Sequence, residues 1–230
     1  MREIVMDTET TGLDPIRGDR IVEIGGVELL NHLPTGRIYH QYINPERDMP
    51  QGAFDVHGLS SEFLSDKPVF KKIGQDFLDF VDGAKMVIHN ASFDMKFLNA
   101  EFEWMGLPKL PMSQSIDTLD MARRRFPGAQ NTLDALCRRF GVDNSAREKH
   151  GALLDSEILA EVYLELIGGR QPDFALNVVA GTDVASPGNQ TDWEIPQRVK
   201  KLPPRITEAE KQAHGTFVQK LGEGALWSKT

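Results

Sequence analysis

The sequence predicts an α/β domain: a mixed sheet, an antiparallel meander plus parallel strands, flanked by helices and followed by a flexible C-terminal tail. Two patterns carry the domain. Three strand-like segments come first, joined by short turns, and helical and strand-like stretches then alternate. A third observation, a shift in composition after Gly168-Gly169, marks where the domain gives way to the tail.

Residues 3–7, 19–28 and 37–43 read as strands, rich in β-branched and apolar side chains. Thr11-Gly12-Leu13-Asp14-Pro15 and Leu33-Pro34-Thr35-Gly36 read as the turns between them. Residues 65–81 carry Phe70, Ile73, Phe77 and Val81 at helical spacing. Residues 86–89 form a short apolar run, expected as a buried strand. Residues 94–105 are helical, with Phe97, Leu98, Phe102 and Met105 as the apolar stripe. A last short strand is expected at 115–117, then helices near 118–125 and 132–140. A strong helix over 152–167 closes the domain. Residues 177–205 hold few large apolar side chains and include Pro187, Pro196, Pro203 and Pro204, the composition of a linker. Helical character returns over 206–230. There Thr207-Glu208-Ala209-Glu210 has capping-box spacing, and Ala213, Phe217 and Leu221 share a stripe with Val218 beside it. Gly222 and Gly224 are expected to end this helix, before a short apolar hook at Leu226-Trp227.

Composition bounds the class. The chain has 230 residues, 40% hydrophobic and 26% charged, as a globular protein requires. No run is apolar and long enough to span a bilayer. Met1-Arg2-Glu3-Ile4 leads straight into a strand, which leaves no room for a signal peptide. The single cysteine, Cys137, lies on a helical pattern and reads as a core residue in a reducing cytoplasm. The net charge of −8 divides into −9 for residues 1–169 and +1 for 170–230. An acidic domain repels long duplex nucleic acid. Work on nucleic acid would then need metal ions to offset the charge, or a partner to deliver the strand.

The chemistry centres on Asp7 and Glu9. Two residues apart on a strand, they point to one face and hold two carboxylates close together. Such a pair takes up a proton or a cation, and a hard divalent ion suits oxygen ligands. Alone, the pair reads better as solvated acids at a strand end. Asp94 lies on the stripe of Phe97, Leu98 and Phe102, and Asp155 on that of Ile158, Leu159, Val162 and Leu166. A carboxylate facing a core is costly unless paired or metal-bound. Either one, near a helix start, also suits a cap. Together the four acids end four elements that a mixed sheet can bring together. His150, on a polar loop before the last helix, can take a proton from water.

Asp7-Thr8-Glu9-Thr10-Thr11-Gly12, His89-Asn90-Ala91-Ser92-Phe93-Asp94 and His150-Gly151-Ala152-Leu153-Leu154-Asp155 resemble, in order and spacing, the three motifs of the DEDDh 3′→5′ exonuclease family. Residues 1–170 resemble its ribonuclease-H-like domain. Val56-His57-Gly58-Leu59 and the 131–137 stretch are similar to the epsilon-type proofreading branch of that family, which serves bacterial DNA polymerase III.

The resemblance implies that Asp7, Glu9, Asp94 and Asp155 hold two Mg²⁺ or Mn²⁺ ions, with His150 as general base. Hydrolysis would release 5′-mononucleotides from a single-stranded or frayed 3′ DNA end. Thr8, Thr10, His57 and Leu59 would grip the terminal nucleotide. Gln171, Phe174 and Leu176, within 171–176, resemble a sliding-clamp-binding peptide. The 206–230 segment, through Phe217, Leu221, Leu226 and Trp227, would bind the polymerase catalytic subunit across the 177–205 linker. The setting implied is the replisome on the bacterial nucleoid, in the cytoplasm and away from the membrane. A free-standing exonuclease on RNA or oligonucleotides, or a non-catalytic adaptor between clamp and polymerase, are the alternatives; the first would not need the tail, and the second would not need all five catalytic positions.

Overall fold

Ile4, Val5 and Met6 have no exposed surface at all, and this explains the place of their strand. Arg2–Thr10 forms β1, followed by β2 (Ile21–Leu30), β3 (Leu33–Tyr42), β4 (Lys85–Ile88) and β5 (Ser115–Asp117). The sheet order is β3-β2-β1-β4-β5, so β1 is central and covered on both faces. β1 pairs antiparallel with β2, which pairs antiparallel with β3; β1–β4 and β4–β5 are parallel. The mixed sheet is as expected from the sequence. The computed structural model describes residues 1–145, 147, 149–169 and 206–221 of the chain, which divides into two units, 1–174 and 175–230.

The first hairpin turns earlier than the sequence suggested. Asn31 and His32, at φ 51° and 65°, make the two-residue connection. Leu33-Pro34-Thr35-Gly36, expected as a turn, instead opens β3. The proline is tolerated because β3 is an edge strand.

The helices are α1 (Gln51–His57), α2 (Ser61–Leu64), α3 (Phe70–Val81), α4 (Ala91–Met105), α5 (Thr118–Arg125), α6 (Leu133–Phe140) and α7 (Ala152–Leu166). The helix expected over 65–81 begins only at Phe70, after Pro68, with Val69 as its cap. α1 and α2 were not anticipated: at seven and four residues they are too short to show a helical period. Gly58, left-handed at φ 74°, ends α1.

Side chains alternate across β1 and feed two cores. Ile4 and Met6 join Phe70, Phe77, Phe97 and Phe102 beneath α3 and α4. Val5 joins Val27, Leu29, Val87, Leu159 and Tyr163 beneath α7. Each such side chain, fully buried, contributes about 1.5–3 kcal/mol. Cys137 is buried with Leu136 and Val162, as the sequence implied, with its thiol free. The Arg20 guanidinium donates to both Glu101 oxygens at 2.8 Å, a bidentate pair that pins α4 to the start of β2.

In the second unit Glu208–Lys220 forms α8, with Thr207 as cap and a complete capping box to Glu210. Ala213, Phe217 and Leu221 are exposed along it and Val218 is half-buried. Gln171, Phe174 and Leu176, the 177–205 linker, Gly222, Gly224, Leu226 and Trp227 lie outside the described residues. None of the described helices is long and apolar enough to cross a membrane.

Candidate active site

The site forms where parallel strands end, the usual ligand position of an open α/β sheet. Asp7 and Glu9 project from the carboxyl end of β1 on the face that α7 covers. Across the strand pair, Asp7 stands opposite Gly25 and Glu9 opposite Glu23. Gly25 has a steric reason to be glycine. A Cβ there would sit 2.2 Å from the Ala152 and Leu153 backbone, so only glycine lets the first turn of α7 lie against β2. The Ser156 hydroxyl donates to the Gly25 carbonyl at 3.0 Å and fixes the contact. That approach delivers Asp155, 3% exposed, to the end of β1.

Asp94 arrives from the other side. After β4 the chain turns through Asn90, left-handed at φ 69°, into α4. The Asn90 and Ala91 amides have no cap from within their own helix and donate instead to the Asp117 carboxylate at 3.2 and 3.1 Å. Asp117 also accepts from Leu119 N at 2.9 Å, so one carboxylate caps both α4 and α5. With α4 held there, Asp94 is 2% exposed and accepts from the Thr8 hydroxyl at 2.7 Å.

His150 sits just ahead of α7, its side chain about half exposed. Its amide donates to the Val56 carbonyl at 3.3 Å, tying this loop to α1. Ligand atoms of Glu9, His150 and Asp155 all lie within 4.8 Å of one another. Asp7, His150, Asp155, Arg147, Asp134 and Arg123 share a cleft of about 810 Å³.

Residues 4–163 match the family model described as Exonuclease. The chain belongs to this exonuclease family. It is similar to a protein named DNA polymerase III subunit epsilon from Rickettsia felis, 50% identical over 226 residues that span 96% of this chain and 97% of that one. It is likewise 44% identical to the protein of the same name from Escherichia coli K12, across 98% of this chain and 97% of that one. Among solved structures it resembles exonuclease X in complex with 5′-overhanging duplex DNA: 27% identity, TM-score 0.54, 72% of this chain and 90% of that one. The nuclease domain of 3′hExo, described as a DEDDh family member, shares the fold at TM-score 0.62 and 21% identity, over 72% of this chain and 91% of that one. The chain is thus an exonuclease.

The electrostatics of the exonuclease site suit a family that depends on divalent metal. Desolvation pushes Asp7 well above the usual carboxylate range, and the charges of Asp94, Glu9 and Asp155 push it further. Burial raises Glu9 to about 8, with Asp155, Glu23 and Asp94 adding to the rise. Burial also raises Asp94 to about 7, against the bond from Thr8. Asp155 runs the other way. Burial alone would raise it, but the neighbouring His150 and Arg147 side chains hold it below the ordinary value. A set of hard oxygen donors that favours protons over open charge is what a divalent cation would neutralise, so the donors fit the metal the family uses.

The nucleotide-gripping candidates divide. Thr8 spends its hydroxyl on Asp94, and Thr10 donates to the Gly12 carbonyl at 2.6 Å. His57 is 6% exposed. Its Nδ1 accepts from Leu59 N at 3.0 Å, and the ring also interacts with the Thr10 backbone. Leu59 is half-buried beside it. Arg125, at the end of α5, donates to the Glu165 and Leu166 carbonyls and so caps α7.

Sequence reasoning missed Asp117, Gly25 and Arg147. Asp117 had a readable signal, an acid just ahead of a helical Thr-Leu-Asp. Gly25 signalled only a close approach, not what approaches, and Arg147 had no local signal, because each acts on a residue more than a turn away in the chain.

Proposed function

We propose that this exonuclease is the proofreading subunit of a replicative DNA polymerase. It would remove nucleotides one at a time from a single-stranded or frayed 3′ end as 5′-monophosphates. The observation that carries this reading is the convergence of Glu9, His150 and Asp155 within 4.8 Å at the mouth that Asp7 also lines. The relatives named DNA polymerase III subunit epsilon, matched along nearly their whole length, support the polymerase partnership.

In this reading Asp7, Glu9, Asp94 and Asp155 hold two Mg²⁺ or Mn²⁺ ions, which supply charge stabilisation at the attacking and leaving oxygens. The chain's own residues do the rest. His150, half exposed at the cleft edge, takes the proton of the attacking water. Thr8 orients Asp94 through its hydroxyl. Thr10, His57 and Leu59 contact the terminal nucleotide.

The domain organisation belongs to the same proposal: exonuclease domain 1–170, clamp-binding peptide 171–176, linker 177–205 and polymerase-binding segment 206–230. The capped α8, with Phe217 and Leu221 exposed, supports the last of these. A flexible linker of that length spans about 30 Å and raises the effective concentration of the nuclease at the primer end. The test is a primer with a mismatched 3′ nucleotide, incubated with the polymerase subunit, clamp and deoxynucleotides. The full chain should remove the mismatch before extension. Removing residues 206–230 should abolish co-elution with the polymerase and keep hydrolysis of free single strands. Full-affinity binding by the truncated protein contradicts the tether. Unchanged clamp affinity after joint replacement of Gln171, Phe174 and Leu176 by Ala contradicts the clamp peptide.

A further inference from the structure

Arg147 is the unexplained residue of the site. It belongs to none of the three motifs, yet its side chain is only 8% exposed. Its Nε bonds Asp155 Oδ1, and its Nη2 donates to Asp155 Oδ2 at 2.7 Å, so one guanidinium takes both oxygens of a carboxylate. The same Nη2 lies 2.7 Å from His150 Nδ1, and Nη1 donates to Asp134 Oδ1 at 2.7 Å. A guanidinium carries no acceptor, so in this contact His150 Nδ1 accepts; the same nitrogen also lies 3.2 Å from Asp155 Oδ2. The planar fork thus engages the acid and the imidazole whose ligand atoms also converge with Glu9.

We propose that Arg147 stands in for the metal ion at Asp155 and His150, and that metal loading proceeds by exchange against its guanidinium. The inference rests on the functional reading above and deepens it. The Arg147 fork already occupies both Asp155 oxygens, so a metal ion that takes either one displaces at least that arm of the guanidinium. Metal and Arg147 therefore compete for them. In the metal-free protein the arginine keeps a 3%-exposed carboxylate compensated, which an empty site could not do. Asp134, half exposed at the edge of the cleft, offers the displaced guanidinium a second partner without leaving the site. Exchange would also free His150 Nδ1, so that loading the metal and releasing the proposed base become one event. Arg123 lines the same cleft and makes no bond to Asp155, so it separates occupancy of the site from mere nearby positive charge.

The test is equilibrium binding of Mn²⁺ alone, followed by electron paramagnetic resonance of the free ion, on the full chain without DNA. Arg147→Gln should bind Mn²⁺ about ten- to a hundredfold more tightly than wild type, the span that charge-assisted hydrogen bonds of this kind are worth. Arg147→Lys, a single ammonium that cannot span both oxygens, should fall between them; it also serves if the glutamine variant folds poorly. Arg123→Gln should change affinity by less than about threefold, as expected of a screened charge. Guanidinium chloride at sub-denaturing concentration should weaken Mn²⁺ binding to Arg147→Gln more than an equal concentration of potassium chloride does. Equal or weaker binding by both Arg147 variants, or an Arg123→Gln gain as large as that of Arg147→Gln, overturns the exchange. Wild type that binds no Mn²⁺ overturns the metal-dependent reading itself.

Discussion

Asp7, Glu9 and Asp94 belong to one half of the site, Asp155 and His150 to the other, and the two halves hold their charge differently. The first half is built on the end of a central strand and on a helix that Asp117 caps in place. It holds no cation of its own among the described residues, and its acids lean towards the protonated form. The second half lies on a loop and the first turn of α7, and carries its own counter-ion in Arg147. There the acid is held ionised. The difference bears on how each half would take up metal under the proposed reading: the rigid half would exchange protons for it, the loop-borne half an arginine.

The largest expected effect comes from breaking the rigid half. Asp7→Asn should reduce hydrolysis to background while the metal-free protein melts at a higher temperature, because a repelling, desolvated carboxylate is gone. Hydrolysis assays and a thermal melt in chelator check both; a lowered melting temperature would mean the acid is held by something other than metal. Breaking the loop-borne half should cost less. His150→Ala should lower kcat by about 10²–10⁴, the usual worth of a general base, with the carboxylate set intact. A pH–rate profile that overlays the wild type after normalisation would assign the proton transfer elsewhere.

A smaller effect tests the link between strand and helix. Thr8→Val removes the bond to Asp94 and keeps the shape, and should cost about tenfold in kcat, near the 1–1.5 kcal/mol of one hydrogen bond. Thr8→Ser should restore most of it; equal losses in both variants would point to packing rather than the hydroxyl.

The smallest effect is on stability. A carboxyl raised in the folded state stabilises below its unfolded value, and that stability is lost as pH rises through the folded value. With Asp94 at about 7 and Glu9 at about 8, metal-free protein should lose a few degrees of melting temperature between about pH 6.5 and 8.5. Glu9→Gln should flatten the upper part of that fall, and added Mg²⁺ should reverse it. A flat wild-type profile contradicts the raised values.

The rigid half was also the legible half. Asp7 and Glu9 follow from a period of two on a buried strand, and Asp94, like Asp155 in the other half, stands out because an acid interrupts an apolar helical stripe. The helices expected near 118–125 and 132–140 form at Thr118–Arg125 and Leu133–Phe140, with Asp117 and Thr132 as their caps. The loop-borne half was less so. His150 came from motif spacing, but nothing local in a polar stretch says that Arg147 folds onto Asp155, eight residues on. The Asn31-His32 turn was hidden because neither residue is glycine, although an asparagine tolerates the left-handed region. Gly25 inside an apolar strand signalled close approach in principle, but only the packed helix says what approaches.

The reading as a whole rests on metal-dependent removal of nucleotides from a 3′ end by these acids. The direct measurement is a time course on a 5′-labelled single strand, resolved by length, with Mg²⁺ or with chelator, for wild type and Asp7→Asn. The account predicts a ladder shortening one nucleotide at a time from the 3′ end, 5′-monophosphates as the only released product, and no shortening with chelator or with the variant. Internal fragments at early times, hydrolysis in chelator, or an active Asp7→Asn protein would contradict it.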